Sequence, residues 1–162
     1  MDLYVSKYFH RVDKKGRVSL PSSFRNVLPK LNKNEMILYK SLKTQSIEGC
    51  GVDRLEEIAK RINNLDFFSE DHDDFSTSIF SEIIPTKIDK EGRFLVPEEF
   101  KDYANIENEV AFLGQGHFFQ IWEPQAAAKN SSNSRKRLLN EKKSLRMILT
   151  QKDSKWKIYI NL

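Results

Sequence analysis

One short pattern occurs twice in this chain of 162 residues. Residues 12–25 read VDKKGRVSLPSSFR and residues 88–101 read IDKEGRFLVPEEFK. With Asp13 laid on Asp89, an offset of 76, identities fall at Asp13/Asp89, Lys14/Lys90, Gly16/Gly92, Arg17/Arg93, Pro21/Pro97 and Phe24/Phe100. Val12/Ile88, Leu20/Val96 and Arg25/Lys101 match in character. The match resumes after a two-residue shift, with Asn34-Glu35-Met36 beside Asn108-Glu109-Val110. One duplication does not make a solenoid, which needs at least three stacked units. It predicts one fold made of two pseudo-symmetric halves.

Both copies have the same local order. Short strands are expected at Tyr8–Val12 and Ile83–Ile88. Asp-Lys-x-Gly-Arg follows, in which Asp opens a turn and Gly supplies positive φ. Second strands at Val18–Leu20 and Phe94–Val96 make each copy read as a β-hairpin with a polar tip. Pro21 and Pro97 stop those strands and open helical turns that point Phe24 and Phe100 inward. A further strand pair closes each half: Met36–Tyr39 with a partner near Ile47, and Val110–Leu113 with Phe118–Trp122 across a turn at 114–117. After the first half, Asp53 and Glu56 read as a capping box. Leu55, Ile58, Ile62 and Leu65 continue it as a helical stripe. After the second, a helix from Pro124 is expected to break at NSSNS, 130–134, and to resume over Arg135–Leu149. Trp156–Ile160 alternates like a strand.

The expected fold class is therefore α+β, mainly β with helices. The expected boundaries are 4–55 for the first half, 56–82 for a connecting helix and acidic linker, 83–128 for the second half, and 129–162 for a basic helix and tail.

Charge is segregated along the chain. The net charge of +4 is a weak pointer to an anionic partner. Residues 65–84 hold Asp66, Glu70, Asp71, Asp73, Asp74 and Glu82 with no Lys or Arg. Residues 129–157 hold ten Lys or Arg against only Glu141 and Asp153. Cys50 is the single cysteine, which fits a reducing compartment. With no apolar run of membrane-spanning length and no secretory leader pattern, a cytoplasmic protein is expected.

Enzyme chemistry finds little to stand on. His10, His72 and His117 are far apart in sequence and none has metal-ligand spacing with Cys50. The acidic run EDHDD lacks the glycine of an EF-hand loop and reads as a solvated connection. GQG at 114–116 lacks the Lys-Ser/Thr of a phosphate loop and reads as a hairpin turn. No catalytic residue, metal, cofactor or small-molecule substrate is expected.

The duplicated tip carries more. A turn needs Asp and Gly, but it does not need Arg after Gly or Lys after Asp. Lys14, Lys15 and Lys90 supply non-directional attraction for phosphates. Arg17 and Arg93 can do the same and can also read guanine bidentately in the major groove, which a two-stranded ribbon is narrow enough to enter. Asp13 and Asp89 would repel phosphate, so their expected role is to brace the turn and hold the arginine. Gly16 and Gly92 shape the turn.

These two motifs, with EVAFLGQGHFFQIW at 109–122, resemble the MraZ family of bacterial transcription regulators over roughly residues 4–150. The resemblance implies two SpoVT/AbrB-type halves that intertwine as swapped hairpins in a double-split β-barrel with helices outside. It implies a ring-shaped homo-oligomer that binds short G-rich direct repeats in double-stranded DNA, upstream of a cell-division and cell-wall gene cluster, and so a place at the nucleoid. Asp13, Arg17, Asp89 and Arg93 fill the family motif. The chain departs from the family pattern in having EDHDD and no Arg at a place between the halves where arginines are usual, Ser6 at a usual glycine, and Glu91 where the first copy has Lys15. The last of these predicts a stronger first tip. Two alternatives share the fold: an antitoxin-like protein-binding module, and an assembly or scaffold protein whose hairpins are only core turns.

Overall fold

In the computed structural model, which describes residues 2–142, the expected α+β class is found, with a mostly antiparallel sheet. The first half contributes β1 (Lys7–Arg11), β2 (Arg17–Ser19), α1 (Ser22–Arg25), β3 (Glu35–Lys40) and β4 (Ile47–Cys50). Two helices follow, α2 (Asp53–Asn63) and α3 (Glu70–Phe80). The second half repeats the order as β5 (Ile84–Lys87), β6 (Arg93–Leu95), α4 (Glu98–Tyr103), β7 (Glu109–Gly114) and β8 (Phe119–Trp122), followed by α5 (Pro124–Asn140). Two compact units result, the first ending at Pro124 and the second beginning at Gln125, so both copies of the repeat lie in one unit. The strand expected at Trp156–Ile160 and the end of the helix expected over Arg135–Leu149 lie outside the described residues.

The halves exchange strands. The large sheet has the order β1-β7-β8-β4-β3-β5, and β2 pairs with β6 in a separate ribbon. Thus β1 of the first half pairs with β7 of the second, from Lys7↔Leu113 to Arg11↔Glu109. Reciprocally, β5 of the second half pairs with β3 of the first, from Glu35↔Lys87 to Leu38↔Ile84. The order reads alike from both ends, with a pseudo-two-fold axis between β8 and β4. This corrects the expected hairpins. The Asp-Lys-x-Gly-Arg turn does reverse the chain, but β1 and β2 do not zip up beyond it. Their hydrogen-bonding partners are in the other half, because the apolar faces to be covered are shared. The bonded sheet ends in two edges, β1 and β5.

One core joins the halves. Phe24 and Phe100, each in the short helix behind a proline, are fully buried, as are Phe94, Phe112 and Phe119. Phe24 stands edge-on to Phe112 with ring centroids 6.1 Å apart, and Phe94 to Phe112 at 6.3 Å. Each such ring contributes about 1.5–3 kcal/mol by leaving water. Strand β3 is buried on both faces: Met36 and Leu38 enter this core, while Ile37 and Tyr39 join a second cluster with Cys50, Leu55 and Ile58.

Three helical details differ from expectation. Val52, not Asp53, is the N-cap of α2 and no side chain caps it; Asp53 and Glu56 lie in the first turn, where they favour the helix dipole. The acidic stretch is not only a linker. Ser69 accepts a hydrogen bond from the His72 N–H at 3.1 Å and starts α3, whose first turn holds Glu70, Asp71 and Asp73. Its acids thus sit at the positive end of a helix. Residues 130–134 do not break α5, which runs unbroken from Pro124 to Asn140. Ser and Asn are mediocre helix formers, but their preference costs only tenths of a kcal/mol each.

Candidate nucleic-acid interface

The two tips are built alike, atom for atom, along the backbone. At the first, the Gly16 N–H bonds the Asp13 carbonyl at 3.0 Å and the Asp13 N–H bonds the Arg17 carbonyl at 2.9 Å. At the second, Gly92 to Asp89 and Asp89 to Arg93 repeat these at 3.0 and 2.8 Å. Closing so tight a turn puts Gly16 at φ +81° and Gly92 at φ +78°, which side chains resist.

Asp13 serves both the turn and the arginine. Its Oδ1 accepts from the N–H groups of Lys15 and Arg17 at 2.9 and 2.8 Å, and its Oδ2 accepts from Arg17 Nε at 2.8 Å. Asp89 takes the N–H groups of Glu91 and Arg93 at 2.9 Å each and Arg93 Nε at 3.0 Å. These bonds hold both carboxyls below their ordinary range, the backbone N–H of the arginine contributing most in each case. Because the carboxylate takes Nε, each guanidinium is held by that edge.

The tips differ at their far nitrogens. Among the described residues, Arg17 meets only Asp13, whereas Arg93 Nη2 also pairs with Glu91. The hydrogen bond that Arg93 Nε donates to Asp89 favours the charged form of Arg93 most, with the nearby charges of Asp89, Glu91 and Asp13 adding to it. Lys14, Lys15 and Lys90 are exposed, and the two arginine side chains are about a third exposed, 31% and 32%. With two lysines, an arginine and an aspartate, the first tip is net +2; with one lysine, an arginine, an aspartate and a glutamate, the second is net zero.

The ribbon carries one tip at each end. Its register is Arg17↔Leu95, Val18↔Phe94, Ser19↔Arg93. Val18 and Phe94 face the core, so Arg17, Ser19, Arg93 and Leu95 share the outer face. The Val96 N–H bonds the Gly16 carbonyl at 3.1 Å and the Leu20 N–H bonds the Gly92 carbonyl at 2.9 Å. Arg17/Leu95 and Ser19/Arg93 are therefore the non-hydrogen-bonded pairs, whose side chains stand closest. The arginines lie on a diagonal of that face, about 7–8 Å apart and somewhat less at Cβ.

Each tip is also supported from the other half, a contact that the sequence reading does not draw. Arg25 donates from Nη1 to the Leu20 carbonyl at 2.8 Å and lies against Gly92, while Lys101 lies 3.5 Å from where a Cβ on Gly16 would be. The signal is the matched pair Arg25/Lys101. His10 of β1 bonds the Ser19 carbonyl and ties the large sheet to the ribbon. The repeat contains Thr86 in its place, so the duplication hides this tie.

Among the described residues no group of three His, Cys, Asp or Glu side chains could hold a metal ion, and no helix is long and apolar enough to cross a membrane.

Residues 79–150 match a family model described as "MraZ protein, putative antitoxin-like". The chain is 43% identical over 144 residues to the Transcriptional regulator MraZ of Pelagibacter ubique (strain HTCC1062), covering 89% of this chain and 93% of that one. It is 38% identical over 146 residues to the protein of that name from Rickettsia canadensis (strain McKiel), covering 90% and 98%. With that of Rickettsia typhi (strain ATCC VR-144 / Wilmington) it shares 42% over 125 residues, or 77% and 84%. The chain belongs to the MraZ family.

Proposed function

We propose that the protein is a non-catalytic, sequence-specific regulator of transcription that reads double-stranded DNA with the outer face of the β2–β6 ribbon. The observation that carries this reading is the pair of arginines, each clamped by an aspartate and both on one face of a ribbon narrow enough for the major groove. Clamping removes rotamer freedom before binding, so less is lost on contact. The register sets the two arginines at opposite ends of the ribbon face, so each guanidinium suits its own guanine. Lys14, Lys15 and Lys90 add phosphate attraction, Asp13 and Asp89 hold the arginines, and Gly16 and Gly92 keep the turns tight.

Residues 4–55 and 83–128 are, on this reading, the two SpoVT/AbrB-type halves, with ribbon and sheet wrapping one core as in a double-split barrel. One ribbon offers few contacts, and a ring of copies would add avidity. Rotational symmetry would present successive ribbons to short, G-rich direct repeats upstream of a cell-division and cell-wall gene cluster. Such a protein works in the cytoplasm, at the nucleoid.

The test is an electrophoretic shift with DNA from just upstream of the protein's own gene. Arg17→Ala is expected to cost about 1–3 kcal/mol for the specific site and to relax specificity, while Lys14→Ala weakens all sequences alike and flattens the salt slope by about 1. Wild-type affinity in a folded Arg17→Ala/Arg93→Ala protein would sink the reading. The absence of salt-dependent binding even at low salt would favour a protein-binding or scaffold role.

A further inference from the structure

Leu95 is an apolar side chain left in solvent, 56% exposed, on the same outer face as both arginines. It is the cross-strand partner of Arg17 in a non-hydrogen-bonded pair, so the two side chains stand about 4.5–5.5 Å apart at Cβ. Its Cδ1 lies 3.4 Å from where a Cβ on Gly16 would sit, so it rests on the first tip. The pseudo-two-fold relates Leu95 to Ser19, the partner of Arg93. The four corners of the outer face are thus Arg17 with Leu95 at one end, and Arg93 with Ser19 at the other. The tips are unequal in the same sense. The end with Leu95 has the tip of net charge +2 and an arginine free of Glu91; the end with Ser19 has the neutral tip, where Glu91 pairs with Arg93.

In the major groove, the one apolar group on a base edge is the C5 methyl of thymine. We propose that Leu95 is a specificity-determining residue: it packs on the methyl of a thymine adjacent to the guanine taken by Arg17. This rests on the ribbon being the DNA-reading face. It gives the ribbon a reading direction that its pseudo-two-fold backbone lacks. A symmetric pair of arginines would accept a site in either orientation. An apolar contact at one end only makes the two orientations unequal, which suits sites repeated head to tail.

The experiment begins with the full chain selecting duplexes from a randomised pool. In the preferred duplex each thymine is then replaced, one at a time, by deoxyuridine, which removes only the methyl. One replacement is expected to weaken binding about fourfold, the worth of one buried methyl. Leu95→Ser should bind the original duplex about fourfold less tightly and be indifferent to that replacement, while Leu95→Met should keep the discrimination. The inference is overturned if no single methyl matters, or if Leu95→Ser still senses it. Those results leave the DNA-reading role intact. Failure to select any duplex overturns both.

Discussion

Ser6 has φ 77°, in the left-handed region, without being a glycine. Such a residue carries about 1–2 kcal/mol of strain. Ser6→Gly should relieve it, partly offset by a looser unfolded chain. A net gain of about 0.5–1 kcal/mol is expected, read as a higher urea midpoint with unchanged slope. The tip glycines should respond in the opposite sense, and unequally. Gly16→Ala costs about 1 kcal/mol for its φ. Gly92→Ala costs more, because the new Cβ would overlap Arg25 Nη1 and break its bond to Leu20. Thermal melting of the two variants would rank them. The clamps make a prediction about pH. Both aspartates have folded-state values below the ordinary one, so the order they impose is complete above that value and is lost only as pH falls through the lower one. Asp13 and Asp89 should therefore give no change in DNA affinity from neutral pH down to about 5, well above the ordinary value of about 3.9. Carbon-13 titration of their carboxyls should show midpoints below it.

At the scale of elements, the ribbon is where a single substitution should change binding most simply. Glu91→Lys removes the carboxylate that occupies Arg93 Nη2 and brings the second tip from net zero to +2. Non-specific DNA affinity should rise, and the logarithmic salt slope should steepen by about 0.9 for each further phosphate neutralised. Ser69→Ala should cost α3 about 1 kcal/mol, measured by chemical unfolding. These elements also mark what the sequence makes legible. The turn residues, the prolines behind them and the inward Phe24 and Phe100 are local chemistry, and each can be read directly. The partner of a strand is not local. Nothing in Lys7–Arg11 distinguishes pairing with β2 from pairing with β7, so the hairpin reading fails although its turn is there. EDHDD reads as a solvated connection until Ser69 is recognised as the cap that lets acids gather in a first turn. The aspartate clamps can be anticipated from Asp-x-x-x-Arg, whereas Leu95 is hidden by its ordinary chemistry.

For the whole molecule, the exchange of β1 and β5 makes each half incomplete. A chain ending after Ser81 leaves β1 and β2 without partners, and a chain starting at Glu82 leaves β5 and β6 without theirs. Neither should fold as a monomer. Each should be unfolded or form a like-with-like dimer, and mixing the two should restore one folded complex. Light scattering with circular dichroism would decide, and a cooperatively folded monomeric half would contradict it. The same exchange sets a timetable on the ribosome. β3 can meet β4 soon after Cys50 emerges, but Lys7 must wait for Leu113. At roughly 5–20 residues per second that delay is on the order of 5–20 s. During it the N-terminal strand is an unpaired edge on a growing chain, able to recruit the wrong neighbour. The exposed charges of Lys7 and Arg11 on β1 are suited to guarding it until its partner is made.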